Sequence, residues 1–97
     1  MSAATNILLT DILAYLHQVG SLLDDVDRKN GEAISLWQQI SQLDHRLRRL
    51  TYQLDEDTFS QLPSLAVFAL SSTQIISCWG NCADEVEALL EADASHH

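Results

Sequence analysis

The chain has little of several things, and each shortage excludes a class of protein. Two cysteines in 97 residues cannot build the disulfide framework of a small secreted scaffold. Three glycines and one proline leave few places for tight turns, so the elements are few and long. Five basic residues stand against 14 acidic ones, and a formal charge of -9 disfavours direct binding to nucleic acid or to anionic lipid. Nor is there a long hydrophobic run. The segment from Thr58 to Ala83 contains no Asp, Glu, Lys, Arg or His, but Pro63, Gln61 and Ser71-Ser72-Thr73-Gln74 divide it, leaving Leu65 to Leu70 as its apolar stretch. Such a segment reads as a helix buried on several sides, not as a membrane span. Met1 to Asn6 carries no basic residue ahead of Ile7-Leu8-Leu9, which argues against a secretory signal, and the expected location is the cytoplasm.

What is present is helical periodicity. Leu9, Ile12, Leu13, Leu16, Val19, Leu23 and Val26 recur in steps of three and four, which puts them on one face of a helix over about residues 5–28. Thr5 or Asn6 is its expected N-cap, and Asn30-Gly31 its expected stop. Gly20 lies at the edge of the stripe, where it either admits a close neighbour or is simply tolerated. A second stretch, 32–55, carries Leu36, Ile40, Leu43, Leu47, Leu50 and Leu54 as a heptad seam. Pro63 with Ser64 opens a third long helix, and Thr58-Phe59-Ser60-Gln61 has the spacing of a capping box just before it. The third stripe runs through Leu65, Phe68, Ser72, Ile75, Trp79, Cys82, Val86 and Leu89. Gly80-Asn81 is the place where this helix is expected to break, giving segments 64–79 and 81–93 and a tail, 94–97, that is frayed or, at His96-His97, appended. The fold class is therefore all-α: residues 1–97 form a single domain, an antiparallel three-helix bundle.

Charge is unevenly divided. Residues 1–27 carry -4, residues 28–50 carry +3 and residues 51–97 carry -8. Antiparallel packing is expected to set the second helix between acidic flanks, with Arg46, Arg48 and Arg49 in solvated pairs worth about 0.2–1 kcal/mol each. The first half of the third helix is apolar nearly all round, a surplus for one chain. Leu65, Phe68, Ala69, Thr73, Ile76 and Trp79 are accordingly expected to form a homodimer interface that enlarges the bundle.

Catalytic signals are absent: there is no nucleophile elbow, phosphate loop, His-Glu-x-x-His or calcium loop. The reading is non-enzymatic, without metal or cofactor. Trp37 and Trp79 stand in apolar stripes as core residues or interface anchors, and His17 and His45 flank them. Cys78 and Cys82, four apart, share a helix face and read first as core or interface thiols, with a thiol- or metal-responsive regulator as the alternative. What remains is recognition by shape and charge. Asp84, Glu85, Glu87, Glu91 and Asp93, with Asp55, Glu56 and Asp57 as a second cluster, are the expected contacts for a protein with a basic surface. An adaptor, a chaperone, or an inhibitor that occupies a nucleic-acid-binding groove with carboxylates in place of phosphates would work in this way.

Overall fold

The structure, a computed structural model, describes residues 1–29 and 33–95. The expected stop at Asn30-Gly31, the start at Glu32 and the pair His96-His97 lie outside the described residues. The described chain is helical, without strands. Helix α1 spans Ala3–Arg28, α2 Ile34–Thr51, α3 Glu56–Ser60, α4 Pro63–Leu70 and α5 Trp79–Ala94, with a 3-10 turn at Ile75–Ser77 before α5.

The central element is α1, not α2. It packs along both α2 and α5, while α4 touches α2 and α5 and carries α3 against it. Its buried face is the stripe read from sequence: Leu9, Ile12, Leu16, Val19 and Val26 are inaccessible or nearly so. The cap is Ser2 rather than Thr5 or Asn6; its hydroxyl accepts from the Thr5 amide at 3.1 Å. The seam of α2 is also confirmed, with Ile40, Leu43 and Leu47 buried. This helix ends at Thr51, short of the expected 55. Thr51 is buried, and its hydroxyl donates to the Leu47 carbonyl at 2.7 Å, so no polar atom is stranded.

Since α1 lies in the middle, α2 is not enclosed by acidic flanks. Arg46 reaches Tyr15 instead, with Nη1 at 3.3 Å from the phenol oxygen and the guanidinium 5.3 Å from the ring centre. Arg48 is not solvated either. Its Nη2 lies 3.2 Å from Asp44 and 3.1 Å from the Thr73 carbonyl, and its Nη1 donates to the carbonyls of Ser71, at 3.1 Å, and Phe68. The same guanidinium sits 4.1 Å from the centre of the buried Phe68 ring, a favourable cation–π position.

The interruption of the third helix falls at residues 71–78, not at Gly80. Ser71 leaves the helix in an extended conformation; its hydroxyl donates to the Val67 carbonyl at 2.6 Å and accepts from the Thr73 amide at 3.1 Å. Serine hydroxyls compete in this way with the backbone ladder and release the chain from it. Asp44 then accepts from the Ile75 amide at 2.8 Å, and Arg48 takes the carbonyls of Ser71 and Thr73 ahead of it. The segment from Ala69 to Ile76 consequently runs back along α2, pinned at Tyr52, Arg48 and Asp44 in turn. Gly80 lies inside α5, where an added Cβ would meet nothing within 4 Å.

Gly20 turns out to mark a close approach. A Cβ there would lie 2.7 Å from two ring carbons of Trp79, so the absence of a side chain is what lets the indole lie on α1. Across the interruption, Leu65, Phe68, Ile75, Cys82 and Val86 still form one buried row, which is why the stripe was legible although the helix is not continuous.

Candidate functional site

The acidic residues separate into those the fold uses and those it leaves outside. Asp55 caps α3: its carboxylate accepts from the Thr58 hydroxyl at 2.7 Å and the Thr58 amide at 3.1 Å, with the Thr5 hydroxyl at 3.4 Å. The Thr58 hydroxyl, then its amide, holds the Asp55 carboxyl below its ordinary 3.8. The cap is thus Asp55, three residues ahead of Thr58, and not Thr58 itself. Glu85 performs a similar service for α4, accepting from the Ser64 amide at 2.9 Å and from the Ser64 hydroxyl. Asp93 accepts from Asn6 at 3.4 Å and lies 3.6 Å from the N-terminal ammonium. These three carboxylates tie the two ends of the chain and α4 into the bundle.

Asp84, Glu87 and Glu91 are exposed. At i, i+3 and i+7 they form a row along the outer edge of α5, about 10 Å long at 1.5 Å per residue. Glu56 and Asp57 are exposed on α3. The two expected clusters meet at one end of the bundle, where an open cleft of about 550 Å3 is lined by Asp55, Asp57 and Asp93 together with Thr5, Met1 and Leu89. Spacing alone does not reveal that convergence, because it depends on α1 and α3 beginning at the level where α5 ends.

The expected dimer residues are differently placed. Leu65, Phe68 and Ala69 are buried by their own chain, which corrects the premise that one chain cannot cover them. Trp79 is half-buried against Gly20. Thr73 is half-buried and gives its carbonyl to Arg48, and Ile76 borders a second cleft, of about 320 Å3, opposite Trp37 and Ile40. The exposed apolar surface of α4 is instead Val67 and Leu70.

The thiols do not share a continuous helix face. Cys78 precedes α5, 3.8 Å from the Gln74 carbonyl, and Cys82 is fully buried one turn later. Burial pushes both thiols above the ordinary 9.0, and Cys82, the more deeply buried, further, with Cys78 beside it adding to the rise. Thiolate, the form that attacks and ligates, is disfavoured here. His17 and His45 are exposed. Among the described residues no group of three His, Cys, Asp or Glu is placed to share a metal ion, and no helix is long and apolar enough to cross a membrane. Compared with protein-family models, with curated proteins and with solved structures, the chain matches none.

Proposed function

We propose that this protein is a non-enzymatic interaction module of the cytoplasm, an adaptor, chaperone or inhibitor, which binds a basic partner through the outer edge of α5. The row Asp84, Glu87 and Glu91 carries the reading. Folding gains nothing from it: like charges at i, i+3 and i, i+4 each oppose a helix by about 0.2–0.5 kcal/mol. The last turn of α5 contains no basic residue, so Glu91 also stands at the negative end of the helix dipole. A cationic surface would relieve both conflicts. Glu56 and Asp57 extend the acidic surface on α3, whereas Asp55, Glu85 and Asp93 leave the set of primary contacts because the fold already employs them. The binding unit in this reading is one protomer, since Leu65, Phe68 and Ala69 are not available to a second copy.

The test is capture from native lysate with the natural chain and with the triple variant Asp84→Asn, Glu87→Gln, Glu91→Gln, at low and high salt. A basic protein retained by the natural chain, lost by the variant and released by salt supports the reading. Capture that is indifferent to salt, or equal for the variant, overturns it.

A further inference from the structure

The C-terminal half of α2 carries matched features on its two flanks. This helix neighbours both α1 and α4. At 3.6 residues per turn, Leu50 points to the α1 side and Tyr52 to the α4 side, with Arg49 outward between them. The α4 flank is a ridge. Val67, Leu70 and Tyr52 are each more than half exposed, Leu70 most at 72%, and the Tyr52 hydroxyl donates to the Ala69 carbonyl, which holds the phenol against α4. The α1 flank is a hollow. Ala4, Ile7, Leu8 and Asp11 face Leu50 and Gln53 across an open cleft of about 470 Å3. The face also bears one unengaged charge of each sign: Asp11 and Arg49 are exposed, and among the described residues neither side chain has an ion-pair or hydrogen-bond partner. Arg46, one turn before Leu50, is held by Tyr15, and Glu56 stands exposed just beyond Gln53. Asp11 and Glu56 against Arg46 and Arg49 make this face neutral within a chain of -9.

We infer that this face is a homodimer interface, covered by a second copy of the chain across a twofold axis near Arg49. An isologous contact requires a surface that complements itself. Ridge and hollow lie on opposite sides of α2, so half a turn about that axis seats the partner's apolar ridge in the α1–α2 cleft of this protomer, and the reverse. The same rotation brings the Asp11 carboxylate of each protomer toward the guanidinium of the other, which matches both unengaged charges at once. Repulsion between two copies of an acidic chain is also least here: Asp24 is about 20 Å from Asp11 along α1, and α5 packs on α1 and α4 rather than along α2. A standard interface covers about 800 Å2 on each partner, roughly an eighth of the 5949 Å2 of one protomer and less than one side of the bundle presents. The interface is not the one expected from sequence, since Leu65, Phe68 and Ala69 stay inside their own chain. Each protomer of the pair keeps its own α5 edge free.

Sedimentation equilibrium between about 1 μM and 0.1 mM tests it, and a monomer–dimer equilibrium is expected within that range. Leu70→Asp strikes the ridge and Ile7→Asp the hollow; both positions are exposed, and circular dichroism checks each fold. Every contact occurs twice about a twofold axis, so a tenfold loss per contact weakens the dimer about a hundredfold. The charges supply the more specific readout. Arg49→Asp and Asp11→Arg should each weaken the dimer, and the two together should restore it, because exchanging both ends preserves the pairing. The triple α5 variant should dimerise at least as strongly as the natural chain, which separates this outcome from the fate of the acidic edge. Four results overturn the inference: a monomer at every concentration, a dimer that survives Leu70→Asp or Ile7→Asp, a double charge exchange no tighter than the single ones, or a dimer lost when the α5 edge is neutralised.

Discussion

Replacing Gly20 by alanine sets two known effects against each other at one atom. Alanine inside a helix is favoured over glycine by up to about 1 kcal/mol. The added Cβ, however, would stand 2.7 Å from two carbons of the Trp79 ring, a separation that packed atoms do not tolerate. Gly20 is buried and Trp79 belongs to the layer packed on the core, so relief requires the indole or α5 to move. Overpacking of this kind costs about 1–3 kcal/mol. The clash outweighs the propensity gain, and Gly20→Ala is expected to destabilise the protein by about 1 kcal/mol, within a range of about 0–2. The decisive measurement repeats the substitution beside Trp79→Leu. With the ring gone the propensity gain stands alone, and the same change should stabilise. Urea unfolding followed by far-ultraviolet circular dichroism on the four proteins gives the coupling, expected at about 1–3 kcal/mol. Additive effects, or a stabilised Gly20→Ala single variant, would refute the claim that the glycine exists for the indole.

Gly80→Ala is the matched control, since nothing lies near its Cβ; it should stabilise by up to about 1 kcal/mol in the same assay. Asp44→Asn removes the charge that holds Arg48 and weakens acceptance of the Ile75 amide, so a loss of about 1–3 kcal/mol is expected, with faster hydrogen exchange at Thr73 and Ile75. Asp55 has its carboxyl held below the ordinary 3.8 in the folded chain, so its contribution is fully present above that value and is lost as pH falls through the lower, folded one. The stability difference between the natural chain and Asp55→Ala should therefore be constant near neutrality and shrink below pH 3.8. Timed alkylation with iodoacetamide at neutral pH should label Cys78 more slowly than a free thiol and leave Cys82 unmodified until denaturant is added.

The heptad seam and the α1 stripe were legible because one side of each helix faces the core, and burial repeats with the helical period. The interruption was also written in the sequence, in Ser71-Ser72-Thr73-Gln74, but periodicity pointed elsewhere. The row from Leu65 to Val86 keeps its spacing through a segment that is not an α-helix, so Gly80 drew the attention that belonged to the serines. Glycine inside a helix carries a modest cost, whereas a hydroxyl that takes a backbone carbonyl offers the chain another path. The burial of Leu65, Phe68 and Ala69 was out of reach for a related reason. A three-rod bundle has no place for a short fourth helix laid across α2 and α5, and it is that placement which covers them. Of the acidic set, the exposed row on α5 could be read from spacing. The internal duties of Glu85 and Asp93 could not, since their partners Ser64 and Asn6 are distant in sequence, whereas the cap that Asp55 provides to Thr58 is local.

Arg48 takes the Phe68 carbonyl within α4 and grips the stretch after it by the main-chain oxygens of Ser71 and Thr73, and Asp44 holds that stretch by a main-chain nitrogen. Every amino acid supplies the carbonyl, and every one but proline the N–H. The identities of residues 72, 74 and 76 are therefore free to drift while the path they follow stays put, and the rim of the Trp37 cleft can be rewritten without disturbing the bundle that carries it.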